Sequence, residues 1–326
     1  QATACYRKAL ELEPEHVWAH NNLGSLLHVL GENEAAVGLL RRAVSRKPDY
    51  ADAWLNLGLA FQDLALADDA EEAFREAVRL NPGLDEAQYA LGMLQYRRGN
   101  CAGAEGAFAA WLEHSPENPV ARHMLAATSG RNVPERASDG FVTRMFDEFA
   151  PSFDLKLEQL QYRAPDVLAT RVARWTDRPA ELHVLDAGCG TGLCAPALRP
   201  LARRLDGVDL SGGMVERARE RGLYDALHVA ELTAYLKAHP GTYDAVVAAD
   251  TLVYFGSLDA VLGAARTALR PGGRLFFTLE AGDPVLAEGF RLEPHGRYAH
   301  APSYLKTALA GAGLTLLSLE TEPVRL

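Results

Sequence analysis

Cysteine is scarce: Cys5, Cys101, Cys189 and Cys194 are the only four in 326 residues. They are too few and too scattered for a disulfide framework, which excludes the small bridge-stapled folds. Cys189 and Cys194 form a loose pair, but no second Cys or His pair follows at zinc spacing, so no metal site is expected. Unpaired thiols fit a reducing compartment, and the cytoplasm is the expected location. Long hydrophobic runs are missing too. No stretch approaches the roughly 18 apolar residues that span a bilayer, and no signal peptide is recognisable, so no membrane partner is expected. Basic residues are the minority, 33 Lys and Arg against 43 Asp and Glu, for a formal net charge of −10. That balance weighs against a nucleic-acid partner, which normally requires a basic face. What remains is a chain with 48% hydrophobic and 23% charged residues, enough for two cores of ordinary size.

The first 130 residues repeat. With Val17, Ala51 and Asp85 aligned, each step is 34 residues, and Leu-Gly recurs at Leu23-Gly24, Leu57-Gly58 and Leu91-Gly92. A small residue recurs at Ala36, Ala70 and Ala104, and a proline at Pro48, Pro82 and Pro116. An incomplete unit precedes these blocks, with Ala2, Tyr6, Ala9 and Pro14 in phase, and another begins at Pro119 and fades after Ser129. Because the chain opens inside a repeat, further sequence before Gln1 is expected. Small residues let two antiparallel helices approach closely, large apolar residues fill the gap, and neighbouring units share one core. The middle block, with Trp54, Leu57, Gly58, Phe61, Ala70, Phe74, Ala77 and Pro82, resembles the tetratricopeptide repeat family. That resemblance implies an α-solenoid whose concave groove takes a protein or peptide partner. By position, Trp18, Asn21, Ser25, His28, Leu55, Leu59, Gln62, Tyr89, Met93 and Tyr96 line it. Asn22 and Asn56 are in phase where similar repeats hold a peptide backbone; the other reading is that they cap local backbone. Asn22, Asn56, Tyr89 and Tyr96 are the candidate partner-binding residues.

Ser129 to Gly140 is polar, contains Gly and Pro and has no apolar period, which reads as a boundary. The expected division is residues 1–130 for the repeats, 131–140 for a linker and 141–326 for a second domain. After the boundary, Phe141, Met145, Phe149 and Phe153 lie four apart, which suits an amphipathic helix interrupted at Pro151. Leu182 to Ala187 then reads as a buried strand running into Asp186-Ala-Gly188-Cys-Gly190-Thr-Gly192, with a helical stretch over Leu193 to Ala202. Glycines at such a turn let backbone approach a ligand closely. The spacing is G-x-G-x-G, with Leu193 where a dinucleotide fingerprint has its third glycine. Asp186 suits an ammonium group and would repel a pyrophosphate. A second strand, Leu205 to Leu210, carries Asp209, 23 residues beyond Asp186, placed to accept hydrogen bonds from both hydroxyls of a ribose. Further strands are expected at His228 to Ala230, Tyr243 to Asp250, Gly273 to Glu280 and Leu314 to Leu319, with a helix at Leu258 to Leu269. Alternating strands and helices predict an α/β, doubly wound, mostly parallel sheet with ligands at the strand C-terminal ends.

VLDAGCGTG followed by GVDLS resembles class I S-adenosylmethionine-dependent methyltransferases, and the Pro271-Gly272-Gly273 turn is similar to theirs. The whole chain resembles bacterial predicted methyltransferases with N-terminal tetratricopeptide repeats. The resemblance implies S-adenosylmethionine as cofactor and assigns it Asp186, Gly188, Gly190, Gly192, Asp209, Leu210, Met214, Glu231, Leu232 and Asp250. Glu231 is placed there to read the adenine amino group; a core methionine and a helix-capping glutamate are the other readings of Met214 and Glu231. The F-D-x-x-A-x-x-F/Y-D pattern from Phe146 to Asp154 is similar to a segment that folds over the cofactor, adding Phe146 and Phe153 and placing Arg163 near the methionine carboxylate. The family's last hairpin is incomplete, so further sequence after Leu326 is expected.

Methyl transfer uses an already activated donor, so alignment dominates and a base helps only where the acceptor must lose a proton. Asp250 and Tyr254, with Thr251, stand where an acceptor meets the methyl group. Ala-Asp-Thr-Leu-Val-Tyr replaces the N-P-P-Y-like signature of amide and base N-methylation, which lowers the case for those acceptors. In Phe290 to His300, His295 and His300 are candidate bases and Arg297 and Tyr298 candidate acceptor contacts; the cluster can equally staple a hairpin. The expected function is methyl transfer to a peptide, protein or carrier-presented small molecule recruited by the repeats. A cofactor-binding scaffold without turnover and a free small-molecule O-methyltransferase are the alternatives; a nicotinamide-dependent oxidoreductase is more distant.

Overall fold

The computed structural model describes residues 2–178, 180–286 and 288–325, in two compact units, Gln1–Ser129 and Gly130–Leu326. The first unit consists of antiparallel helix pairs: α1 (Ala2–Leu12), α2 (Val17–Val29), α3 (Asn33–Arg46), α4 (Ala51–Asp63), α5 (Ala67–Leu80), α6 (Asp85–Arg97), α7 (Cys101–His114) and α8 (Pro119–Ser129). The repeating glycine is where the two helices of a pair touch. A Cβ at Gly58 would lie 2.5 Å from the Phe74 ring, and one at Gly24 would lie 2.7 Å from Leu40. Gly92 meets Phe108 in the same way. Ala36, Ala70 and Ala104 are fully buried on the opposite helix.

The repeating proline has a second use. Its carbonyl is bonded by the side chain six residues later in every unit: Pro14 with His20 Nε2 at 2.8 Å, Pro48 with Trp54 Nε1 at 2.9 Å, Pro82 with Gln88 Nε2 at 3.0 Å and Pro116 with Arg122 at 2.9 Å. The residue type changes and the bond does not. A turn carbonyl left over by the preceding helix is thereby satisfied.

The second unit opens with α9 (Asp139–Phe149), α10 (Phe153–Gln159) and α11 (Ala164–Trp175). Five parallel strands follow: β1 (Leu182–Ala187), β2 (Ala202–Asp209), β3 (Ala226–Val229), β4 (Tyr243–Ala248) and β5 (Leu269–Phe277), in the order β3-β2-β1-β4-β5. Between them lie α12 (Ala195–Leu198), α13 (Gly212–Glu220), α14 (Leu232–Ala238) and α15 (Asp259–Ala268), and after them α16 (Pro302–Gly311). Side-chain alternation along the strands divides the core between two faces. Leu185, Val246 and Ala248 meet α14, α15 and α16, while Val184, Ala245 and Val247 meet α11 and α12. This is the doubly wound arrangement. A small second sheet, β6 (Glu280–Ala281), β7 (Phe290–Leu292) and β8 (Tyr298–His300), follows β5 in the chain, in the order β6-β8-β7.

Two expectations are corrected. Leu193 to Ala202 is not one helix: α12 is a single turn, a 3-10 turn follows, and Ala202 already belongs to β2. Leu314 to Leu319 forms no strand. The stretch read as a linker is tied down at its end. Arg136 bridges to Phe255, the Ala137 N–H donates to the Tyr254 carbonyl at 2.8 Å, and the Glu135 carbonyl accepts from Gly256 and Ser257, both at 2.8 Å. No helix among the described residues is long and apolar enough to cross a membrane.

Candidate active site

The C-terminal ends of β1, β2 and β4 lie side by side, because β1 pairs in parallel with both of the others. Asp186, at the end of β1, is fully buried. Its Oδ2 accepts from the Tyr224 hydroxyl at 2.6 Å, while Oδ1 has no partner among the described residues. Burial pushes this carboxyl up to about 7, with Asp209 adding to the rise and Tyr224 opposing it. An unpartnered buried acceptor costs about 1–3 kcal/mol unless a ligand supplies its proton. An ammonium does so and restores the ionised form.

The loop after β1 turns through left-handed backbone at Gly188 (φ 74°), Gly190 (φ 52°) and Gly192 (φ 85°). A Cβ at Gly188 would collide with Thr251, whose hydroxyl donates to the Ala187 carbonyl at 2.8 Å. At Gly190 a Cβ would meet nothing, which leaves open space against the loop. Asp209 fastens the loop to the end of β2: its carboxylate accepts from the Gly190 N–H and the Ser211 N–H, both at 2.9 Å. Burial raises its pKa and those backbone donors oppose the rise. Leu210 is half-buried beside it.

Asp147 and Asp154, from the aromatic segment, latch onto these two loops. Asp147 accepts from the Ser211 hydroxyl at 2.5 Å and the Gly213 N–H at 3.0 Å. Asp154 accepts from Thr191 and from Arg221, each at 2.5 Å. Phe146 stands edge-on to Tyr254 at 5.4 Å and to Phe153 at 6.2 Å, so the three rings form one wall. On the β4 side, Asp250 is a non-glycine residue at φ 52°, a strained conformation of the kind held at functional sites. Its N–H donates to Thr278 Oγ1 at 2.8 Å, the Thr278 hydroxyl donates back to its carboxylate at 2.9 Å, and Arg325 pairs with the other oxygen.

The remaining sequence candidates sort by environment. Met214 is 1% exposed under the first turn of α13. Glu231 caps α14, its two oxygens accepting from Thr233 at 2.9 Å and Ala234 at 2.8 Å, with Leu232 buried next to it. Arg163 is exposed; Arg325, which pairs with Asp250, packs over the Tyr162 ring at 5.6 Å. Tyr298 is fully buried, its hydroxyl donating to the Pro134 carbonyl at 2.7 Å. His300 is 3% exposed, bonded to the Gly256 carbonyl at 3.1 Å and stacked on Tyr304; burial pushes its imidazole below the ordinary value. These two staple the β7–β8 hairpin. At its turn, His295 Nε2 meets Glu280 Oε1 at 2.9 Å, and Arg297 pairs with Glu280 Oε2 at 3.2 Å.

In the repeat unit, Asn56 Nδ2 donates to Asn21 at 2.9 Å, and Asn21 Nδ2 lies 3.1 Å from Asn22 Oδ1 and 3.3 Å from the Tyr50 hydroxyl. Asn56 thus bonds to Asn21 across adjacent repeats, and Asn21 to its own neighbour Asn22. Tyr89 is half-buried against Phe108 at 6.5 Å, and Tyr96 is half-buried. Sequence reasoning missed Tyr162, Tyr224, Thr278, Glu280 and Arg325. Each acts through a partner far away in the chain, and no local spacing signals that.

The site is chemically compatible with S-adenosylmethionine: Asp186 Oδ1 is a buried acceptor with no donor among the described residues, and the loop has open space at Gly190. A methyltransferase-domain family model matches residues 184–273, and tetratricopeptide-repeat models match residues 5–38, 29–85 and 55–119. The chain is 35% identical to methyltransferase-like protein 27 of Homo sapiens over 136 residues, 38% of this chain and 56% of that one. It is 33% identical to the ubiquinone biosynthesis O-methyltransferase of Thiobacillus denitrificans over 112 residues, 32% of this chain and 48% of that one. It thus spans about half the length of these curated relatives. The crystal structure of the cyclase SpnF is similar at 24% identity and TM-score 0.47, covering 57% of this chain and 75% of that one.

Proposed function

We propose that this chain, in which tetratricopeptide repeats precede a class I S-adenosylmethionine-dependent methyltransferase domain, transfers a methyl group to an acceptor that the repeats recruit. The observation that carries the reading is Asp186: a fully buried carboxylate, next to a glycine loop, with one oxygen that has no partner among the described residues. A pyrophosphate there meets a negative charge; the ammonium of the methyl donor meets its counter-ion. The donor supplies an activated methyl group. The protein aligns it, excludes water with the Phe146, Phe153 and Tyr254 wall, and offers Asp250 and His295 on the acceptor side. The acceptor is a peptide, a protein or a carrier-presented small molecule, and the asparagine ladder of Asn21, Asn22 and Asn56 with Tyr89 and Tyr96 is its docking face. The free cysteines fit a cytoplasmic protein.

Isothermal titration tests the cofactor side. S-adenosylhomocysteine should bind at micromolar affinity and NAD should not bind. Tight NAD binding without binding of S-adenosylhomocysteine would falsify the assignment. A scaffold without turnover would bind S-adenosylhomocysteine and methylate nothing.

A further inference from the structure

Tyr224 lies in the connection between α13 and β3, and the residues around it are anchored. Ahead of it, Arg221 Nε donates to the Thr191 carbonyl of the glycine loop at 2.6 Å. Arg199 donates to the carbonyl of its neighbour Leu223 at 3.4 Å. On the other side, the Asp225 N–H donates to the Leu205 carbonyl at 2.8 Å. The Asp225 carboxylate accepts from the Leu205 N–H at 2.7 Å and from Arg199 at 2.6 Å. The connection is thus fastened to β2 and to the glycine loop at once.

The Tyr224 ring enters a gap that two glycines leave. A Cβ at Gly207 would lie 3.0 Å from the ring, and one at Gly192 would lie 3.1 Å from it. Gly207 is the register partner of Asp186 in the β1–β2 pair. Because β2 carries no side chain there, the phenol lies beside the carboxylate, and its hydroxyl donates to Oδ2 at 2.6 Å.

We infer that Tyr224 is the positioning residue of the ammonium site: by occupying Oδ2 it fixes the Asp186 carboxylate and leaves Oδ1 as the one oxygen offered to the donor's ammonium. This rests on the methyl-donor reading above. A buried carboxylate with neither oxygen held can turn about its Cβ–Cγ bond and present either one. The hydroxyl also favours charge, since a donor on a carboxylate stabilises its ionised form. Among the described residues, the titratable groups facing Asp186 are Tyr224, Asp209, Cys189, Cys194 and Tyr162. None of them is a cation. Burial pushes both thiols and the Tyr162 hydroxyl above their ordinary values, so these three stay neutral. Burial also pushes the Asp186 carboxyl up, Asp209 adds to the rise, and Tyr224 opposes it. Without that hydrogen bond Asp186 keeps its proton to higher pH and meets an ammonium as a neutral acid.

The test compares Tyr224→Phe with the intact chain, both full length, using S-adenosylhomocysteine and methylthioadenosine as probes. The second probe keeps the nucleoside and the sulfur and lacks the amino acid. Phenylalanine keeps the ring between Gly192 and Gly207, so methylthioadenosine should bind both proteins equally. S-adenosylhomocysteine should bind the variant roughly tenfold to a hundredfold more weakly. The deficit should be larger at about pH 6 than at about pH 9, because the carboxylate is the binding form and the variant reaches it later. A tyrosine that only packs would weaken both probes alike or neither. Equal weakening of both probes, or an unchanged S-adenosylhomocysteine affinity, would overturn the inference and leave the cofactor reading standing. So would a deficit independent of pH, which would mean that the hydroxyl does not bond the carboxylate. Failure of the intact chain to bind either probe would overturn both.

Discussion

Asp186 is strained by its own fold until a ligand arrives, and this makes a pH signature. In the free domain burial lifts its carboxyl to about 7, far above an exposed aspartate near 3.9. The folded form then holds an extra proton between those values. Its contribution to stability is complete below the unfolded pKa and is lost as pH rises through the folded one, so the free domain should lose stability between about pH 4 and 7. Binding an ammonium selects the carboxylate, so binding should release a proton below about pH 7. S-adenosylhomocysteine should therefore bind about tenfold more tightly at pH 8 than at pH 6. Titration calorimetry in two buffers of different ionisation heat measures both affinity and proton release. Asp186→Asn should abolish the pH dependence along with most of the affinity. A flat affinity with no proton released would mean that the ammonium sits elsewhere.

At the scale of elements, the repeat was readable because its rule is local: a glycine every 34 residues, opposite a large residue on the partner helix. The structure makes that rule quantitative. Gly58→Ala would drive a methyl to 2.5 Å from the fully buried Phe74 ring. Overpacking of this kind costs roughly 1–3 kcal/mol. Gly38, in α3, faces open space, so Gly38→Ala should stabilise by roughly 0.5–1 kcal/mol through helix propensity alone. Urea melts of the two variants should move in opposite directions; the same shift in both would mean that the Gly58 contact relaxes at no cost. The strand carrying Asp186 was readable for the same reason, since Asp186 follows the apolar Val184-Leu185, and Asp209 stands 23 residues beyond it at the end of the next strand. The rest of the site was not. Tyr224 reaches Asp186 across 38 positions, Thr278 reaches Asp250 across 28, and Arg325 reaches it across 75. The prominent Arg-Tyr-His run pointed to chemistry at Tyr298 and His300, whose side chains the hairpin uses for packing. Arg163 was assigned by its place in the family pattern, yet it is exposed, while its neighbour Tyr162 is half-buried under the Arg325 guanidinium. A short polar motif carries no information about which of its members faces inward.

For the molecule as a whole, each unit has its own core, so the question is where the chain can be divided without damage. The helix clusters of the first unit are confined to residues before Ser129, and the sheet clusters begin beyond it. A boundary chosen from polarity alone falls near Asp139, where the linker pattern ends. That cut removes the Glu135, Arg136 and Ala137 backbone from the Tyr254–Ser257 loop, and the Pro134 carbonyl from the buried Tyr298 hydroxyl. Each such bond contributes about 1 kcal/mol net, and a buried hydroxyl left unpaired costs more. A fragment starting at Gly130 keeps all of them. It should fold and bind S-adenosylhomocysteine with the affinity of the full chain, whereas one starting at Asp139 should melt several degrees lower and bind more weakly, because the Tyr254 wall loses its support. Differential scanning calorimetry and titration of both fragments make the comparison. Equal melting of the two would show that residues 130–138 are the passive tether their composition suggests. A folded Gly130 fragment unable to bind S-adenosylhomocysteine would mean that the repeats complete the cofactor site and that the two units act as one.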